Sequence, residues 1–351
     1  MATRKQIIYR RRRAALMAII ASLIITTTII LLTTIKVNKD DDELAINAQT
    51  VTQSAEPVNT TVEEVKPSTA YPTVPEKVKG FSNGKEIDSE FGVLLDVANN
   101  TVIASRRGTE KVYPASLTKV MTLLVAVEHI EDYNDTFTMT YEIIKPLVDS
   151  DATRAGFKEG EECKISDLLY GAILPSGADA TVALAQYVSG SEEEFVKLMN
   201  TKAQELGLKN THFTNTSGLH NTNHYTTCLD MAVIMATAMK NDICKRVLST
   251  YEYKTHPTTQ NPEGLELKST MFDRMYGTEV PDVKIIAGKT GYTTEAKHCL
   301  VSYAIKEDKP YVAVAMKSSG RFKPIFDTFE IYKGSLPPLK DAVITSDTKA
   351  E

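Results

Sequence analysis

An α+β fold is predicted, because strand patterns stand at both ends of the folded part and helical patterns fill the middle. Two strand candidates, residues 91–97 (FGVLLDV) and 101–105, flank the turn pair Asn99-Asn100. Three more, 283–293, 298–305 and 311–316, come near the end, the last two joined by a polar turn at 306–310 and therefore expected to be antiparallel neighbours. The block from roughly 135 to 250 is mostly helical in pattern. The first and last strands are expected to share one sheet, so residues 86–335 read as one discontinuous body.

Taken in order, residues 106–114 lead from the second strand to a helix starting at Ala115 or Ser116. That helix is apolar on nearly every side from 120 to 127, which places it at the centre of the domain. Residues 165–174 (ISDLLYGAIL) look helical with Ser166 as cap, Pro175-Ser176-Gly177 interrupts the pattern, and 178–188 resumes it. Ser191 and Glu194 form a capping box for a helix over 195–206, which Gly207 ends. Residues 210–225 are turn-rich, and Thr227 with Asp230 caps a helix over 231–239. A closing helix is expected over 325–332, followed by a polar tail at 336–351.

Ahead of the domain, Arg4, Lys5 and the arginines of 10–13 make a basic segment, and residues 14–35 then hold no charge. At about 1.5 Å per residue, that run can cross a hydrocarbon core of roughly 30 Å. With basic residues before it and the acidic run 40–43 after it, the N-terminus is expected in the cytoplasm and the domain outside the membrane. The competing reading is a cleaved signal peptide, but the run is long for one and no clear small-x-small site follows. Residues 36–85 are rich in Thr, Val, Glu and Pro, keep no period, and are expected to form a disordered tether.

The net charge of −5, with basic residues scattered after the first segment, gives no sign of a nucleic-acid partner. Cys163, Cys228, Cys244 and Cys299 are far apart and form no C-x-x-C pair, so buried thiols are expected rather than a zinc ribbon or a disulfide framework. His220 and His224 lie four apart in a turn-rich segment, which does not make a metal site, and His224 is expected to pack or hydrogen-bond beside Tyr225. No metal or cofactor is expected. Glu192 to Glu194 reads as a solvated helix start.

The chemistry gathers at Ser116. Lys119 lies one helical turn on and on the same face, so its amine can take the hydroxyl proton. The start of a helix, with its free N–H groups, favours the negative charge that forms. A serine three residues before a lysine is common by chance. Here, however, Ser176-Gly177 follows after 60 residues, at a break between helices, and Lys289-Thr290-Gly291 follows 113 later, on a strand ahead of a hairpin. That order is the motif set of penicillin-binding proteins and serine β-lactamases.

With YPASLTKVMT, DLLYGAILPSGADATVALAQYVSGS, ELGLKNTHFTNTSGLH, HYTTCLDMA and AGKTGYTTEAKHCLV, the stretch 91–332 resembles the D-alanyl-D-alanine carboxypeptidases, the low-molecular-mass penicillin-binding proteins. The stretches around Leu208 and His224 favour this branch over class A β-lactamases. The resemblance implies a β-lactamase/transpeptidase-like fold, a five-stranded antiparallel sheet flanked by helices beside a mostly helical lobe. It implies removal of the terminal D-alanine from the peptidoglycan stem pentapeptide, and covalent trapping by β-lactams. It further implies Ser116 as nucleophile, Lys119 as general base and Ser176 as proton relay to the leaving amine. Lys289, Thr290, Gly291 and Tyr292 would contact substrate, with Thr290 on the terminal carboxylate and the N–H groups of Ser116 and Tyr292 as oxyanion hole. Because a free lysine is protonated at neutral pH, burial and the charge of Lys289 are expected to depress Lys119.

Two departures from the family pattern stand out. Its second motif usually ends in Asn, and here Ala178 supplies no amide. Its cationic clamp for the carboxylate has two candidates, Arg321 and Lys323 in SSGRFKPIFD, at a longer spacing to Asp327 than usual; Arg321 is preferred because a planar fork suits a carboxylate. Two other functions compete: a non-catalytic relative that binds peptidoglycan stems, which Ala178 motivates, and a β-lactamase, for which no convincing deacylating carboxylate is evident.

Overall fold

The computed structural model describes residues 70–81, 87–275 and 280–336. The apolar run 14–35, its basic flank, most of the tether and the tail beyond Leu336 lie outside the described residues. Among the described residues no helix is long and apolar enough to cross a membrane.

Apolar side chains alternate along the strands, and that alternation sets the layers. In β1 (Phe91–Asp96), Val93 and Leu95 join one core and Leu94 the other. The chain turns at 97–100, where Asp96 accepts from both amide groups of Asn99 and Asn100 takes φ +49, into β2 (Thr101–Arg106). A 3-10 turn, Ala115–Leu117, opens onto α1 (Thr118–His129), which is buried from Thr118 through Val127, as its sequence requires.

The helical lobe follows. Strand β3 (Thr136–Thr138), α2 (Tyr141–Asp149) and β4 (Glu162–Lys164) form a small annex in which the two strands pair. Next come α3 (Ile165–Ile173), α4 (Ala178–Ser189), α5 (Glu192–Glu205), α6 (Cys228–Ala238) and α7 (Asp242–Leu248). Strands β5 (Glu252–Lys254) and β6 (Glu266–Lys268) pair with each other, and a second 3-10 turn, Phe272–Arg274, precedes β7 (Lys284–Thr293). Strand β8 (Lys297–Lys306) returns to β9 (Lys309–Ser318) through Glu307 and Asp308, both at positive φ as a two-residue hairpin requires. The last helix is α8 (Lys323–Ser335).

The expected caps fare differently. Thr227 Oγ1 accepts from Asp230 N at 3.0 Å. Ser191 Oγ accepts from Glu194 N at 3.1 Å, but the Glu194 carboxylate takes Lys197 Nζ, so only half of the capping box forms. Ser166 does not cap α3. The helix begins one residue earlier, and the N–H groups of Ile165 and Ser166 donate to the carbonyls of Asp135 and Tyr133, doing what a side-chain cap would do.

The main sheet runs β2-β1-β9-β8-β7, antiparallel throughout. Both chain ends of the domain contribute, as expected. One face packs on the helical lobe through Val93, Leu95, Val301, Val312, Val314 and Met316. The other is covered by α8, where Ile331 and Tyr332 sit on Leu94, Ala304, Ala313 and Ala315. The buried Tyr332 hydroxyl donates to Ser302 O at 3.1 Å and accepts from Ala313 N at 3.2 Å. All four cysteines are buried and free.

The tether ends sooner than its composition implies. Residues 70–81 lie along β2, with Thr73 bridged in parallel to Thr101 and Lys79 to Ala104. Tyr71 Oη donates to the buried carboxylate of Asp230 on α6, and Phe81 is buried against Gly92, where a Cβ would stand 2.7 Å from its ring. These bonds come from a sheet edge that local composition does not reveal.

Candidate active site

Ser116 is presented by strained backbone. Ala115 takes φ +49, which is uncommon for a residue with a Cβ, and turns Ser116 toward β7. A relay holds that turn from beneath. His224 Nδ1 faces Thr214 N at 3.2 Å and so acts as acceptor; its Nε2–H therefore donates to Thr118 Oγ1 at 2.8 Å, and Thr118 Oγ1 donates to Ala115 O at 2.8 Å. Burial pushes the His224 imidazole down to about 3, helped by the charges of His212, Lys119 and His220, so it stays neutral. Gly218, at φ +82, packs against the same turn, and a Cβ there would meet Ala115 O at 1.8 Å.

Lys119 Nζ stands 3.0 Å from Ser116 Oγ and donates to Ser217 O at 2.6 Å. Burial brings its amine down to about 7, against the opposing pull of Asp179 and Glu192. The expected second cation is present, but the repulsion falls on it instead. Lys289, buried on β7, is depressed well below the usual lysine range by burial, then by Lys119 and then by Arg274. Two ammonium groups in so dry a volume cannot both stay charged without an anion.

Gly291 brings β7 to Ser116. A Cβ at this position would stand 3.0 Å from Ser116 N and 3.2 Å from Leu117 N, so only glycine leaves the strand this close. Tyr292 is next along; its ring is exposed and stacks on His298 at 4.4 Å. Thr290 is buried with its Oγ1 2.7 Å from Thr270 Oγ1, and Lys289 Nζ donates to Thr290 O at 2.8 Å.

Ser176 lies between α3 and α4 at φ +71, with its Oγ buried and without a hydrogen-bond partner among the described residues. A buried hydroxyl left in that state costs about 1–3 kcal/mol, and a substrate atom would supply the partner. Ala178 opens α4, buried, with its N–H on Thr153 O at 2.8 Å. Gly177 is pressed by Ala155 N at 2.7 Å from a would-be Cβ, and the carboxylate of Asp179 accepts from Ala155 N and Gly156 N. The loop 153–156 is thereby fixed to the second motif.

Arg321 and Lys323 part company. Arg321 is exposed on the turn between β9 and α8, within electrostatic reach of Arg274 and His298, whereas Lys323 reaches Asp88. Asp327 pins this turn by accepting from Asp88 N, Ser89 N, Ser89 Oγ and Ser318 Oγ.

Several supporting residues escaped sequence reasoning. Ser217 O, Thr118, Gly218, Thr270 and Arg274 carry no motif. Glu192 is not simply solvated: its Oε1 accepts from Thr216 N and Thr216 Oγ1, next to the carbonyl that holds Lys119. His220 stacks edge-on against Tyr113 at 4.7 Å and lies 3.8 Å from Glu295. Cys299 sits in the core opposite Gly291 on the neighbouring strand.

A sequence profile of the D-alanyl-D-alanine carboxypeptidase family matches residues 76–320. The chain is 34% identical over 232 residues to the D-alanyl-D-alanine carboxypeptidase DacF of Bacillus subtilis, covering 66% of this chain and 58% of that one. It is 31% identical over 241 residues to DacC of Escherichia coli, covering 66% and 56%. The chain thus spans a little over half the length of these curated relatives. Among solved structures, the Streptomyces K15 DD-transpeptidase superposes with a TM-score of 0.65 at 27% identity, over 72% of this chain and 99% of that one. Penicillin binding protein 5 of Haemophilus influenzae gives 0.63 at 26% identity, over 72% of each.

Proposed function

Because this chain belongs to the D-alanyl-D-alanine carboxypeptidase family, we propose that it is a serine-type hydrolase that removes the terminal D-alanine from peptidoglycan stem pentapeptides through an acyl-enzyme on Ser116. The observation that carries the proposal is the Lys119 amine, 3.0 Å from Ser116 Oγ and brought to about 7 by burial. An amine poised there can be neutral before the reaction and cationic after it.

In the first half-reaction, Ser116 Oγ attacks the carbonyl carbon of the penultimate D-alanine and its proton passes to Lys119 Nζ. The carbonyl oxygen gains negative charge and takes the N–H groups of Ser116 and Tyr292. Ser176 Oγ relays that proton from Lys119 to the departing nitrogen, the C–N bond breaks, D-alanine leaves as the amine, and Lys119 is neutral again. In the second half-reaction, water loses a proton to Lys119 and attacks the ester, and Ser116 regains its hydrogen. Thr290 and Arg321 hold the substrate's terminal carboxylate, and an anion arriving there favours the charged form of Lys289 against the burial that depresses it. A β-lactam follows the first half-reaction, but its amine stays tethered and the ester persists.

We further propose that residues 14–35 anchor the chain in the cell membrane with the catalytic domain outside, which the order of basic, apolar and acidic runs supports. Protease added to intact cells should then remove the domain but not the N-terminal segment. The reaction is tested with Ser116→Ala. This variant should release no D-alanine from a pentapeptide and should gain no mass on treatment with benzylpenicillin, whereas the parent gains one adduct on the peptide holding Ser116. A parent that binds pentapeptide without acylation would be a stem-binding relative. One that turns penicillin over rapidly would be a β-lactamase.

A further inference from the structure

The Lys119 amine has few holds. Among the described residues it bonds only Ser116 Oγ, at 3.0 Å, and Ser217 O, at 2.6 Å. Ala178 opens α4 where the family pattern has Asn, so the second motif adds no amide to steady it. One backbone carbonyl therefore decides where the amine stands, and that carbonyl is held through its chain neighbour, Thr216.

Thr216 is wholly buried, and its polar atoms go to three helices. Its carbonyl accepts from Thr122 Oγ1 on α1 at 2.7 Å, one turn beyond Lys119. Its Oγ1 lies 3.1 Å from Thr181 Oγ1 on α4 and donates to Glu192 Oε1 at 2.7 Å, and its N–H donates to the same oxygen at 2.8 Å. Asn215 Oδ1 closes the turn by accepting from Gly218 N at 2.7 Å. Glu192 is the first residue of α5, where unpaired N–H groups favour a carboxylate. One anion thus fixes both polar donors of the residue that precedes Ser217. Its charge also reaches the amine. Of the groups facing Lys119, Asp179 on α4 and Glu192 on α5 favour its charged form, Lys289 on β7 is repelled by it, and His224 is neutral. The Asp179 carboxylate is committed to the N–H groups of Ala155, Gly156 and Ala180. Glu192 is the anion tied to Lys119 by a run of bonds as well as by charge.

We propose that Glu192 is a positioning residue for Lys119: through Thr216 it fixes the Ser217 carbonyl on the amine, and its negative charge favours the protonated form. It thereby does from the start of α5 what a second motif ending in Ala178 cannot do with an amide. The inference rests on the carboxypeptidase reading above, in which Lys119 is the base.

The test follows the rate constant for acylation of the full chain by benzylpenicillin across pH 5 to 9. Glu192→Gln keeps an oxygen for Thr216 and removes only the charge. The sign is fixed: with less to favour the ammonium, the free amine persists to lower pH. The midpoint of the profile should fall by about half a pH unit to one unit, and at pH 6 the variant should keep a share of its own plateau about threefold larger than the parent keeps. Glu192→Ala removes the acceptor as well, and its plateau should drop by about 10-fold as the amine loses its place. Rate constants and midpoints do not depend on how much of a variant folds. A Glu192→Gln midpoint at or above that of the parent, or a Glu192→Ala plateau equal to the parent's, would overturn the role of Glu192 and leave the carboxypeptidase reading intact. A parent that forms no penicillin adduct would overturn both.

Discussion

The proposed reaction asks Lys119 to accept a proton from the Ser116 hydroxyl while its nitrogen also holds the Ser217 carbonyl. An exposed lysine is charged at neutral pH and could do only the second. Burial brings this one to about 7, and Asp179 and Glu192 keep it from falling further. The sign follows directly: below the inflection Lys119 carries its proton and cannot serve as base, and above it the free amine can. Acylation by benzylpenicillin is therefore expected to rise with pH through about 7 and then level off, as read from stopped-flow rates across pH 5 to 9. An inflection near 10 would show an unperturbed amine. Lys119→Arg, which stays charged throughout, should lose about 100-fold or more in rate. At this scale the nearness of Ser116 and Lys119 was legible, because three residues in sequence are one turn in space. The support beneath it was not. The expectation that His224 packs or hydrogen-bonds beside Tyr225 names the bonding but not the partner, since one of its ring nitrogens bonds Thr118, 106 residues away in the chain.

Where one element meets another, a missing side chain decides the geometry. Strand β7 can lie against the 3-10 turn of Ser116 only because Gly291 has no Cβ. Gly291→Ala should push the strand off by a few tenths of an ångström and shift the N–H groups of Ser116 and Tyr292 that are proposed to take the oxyanion. A displacement of that order is expected to lower the acylation rate by about 10- to 100-fold, and a rate unchanged from the parent would show that the contact yields freely. The elements themselves were readable where the signal was local. Thr227 marks the start of α6, and the apolar runs of β1, β8 and β9 mark strands buried on both faces of the sheet. They were unreadable where the signal came from elsewhere. Strands β3 to β6 are three residues each, too short to show a period. The 3-10 turn Phe272–Arg274 follows the last of them and offers no motif at all.

Across the whole molecule, the strap at 70–81 shows how composition misleads. Its threonines and prolines argue for a free tether, yet β2 would otherwise expose an unpaired edge, and the strap covers it. Tyr71→Phe removes a donor from the buried carboxylate of Asp230. The expected cost is about 1–3 kcal/mol, seen as a lower urea midpoint; an unchanged midpoint would mean the strap is ornamental. The sheet order has another consequence, one of timing. Phe91 faces Met316 and Asp96 faces Tyr311, so β1 has its inner partner at the far end of the domain. A ribosome delivers β1 and its apolar residues first and β9 among the last. For most of synthesis the hairpin of β1 and β2 carries an open, sticky edge that nothing yet made can close. The arrival of β9 completes the layer under Ser116 and also ends the interval in which the nascent chain can pair with a stranger.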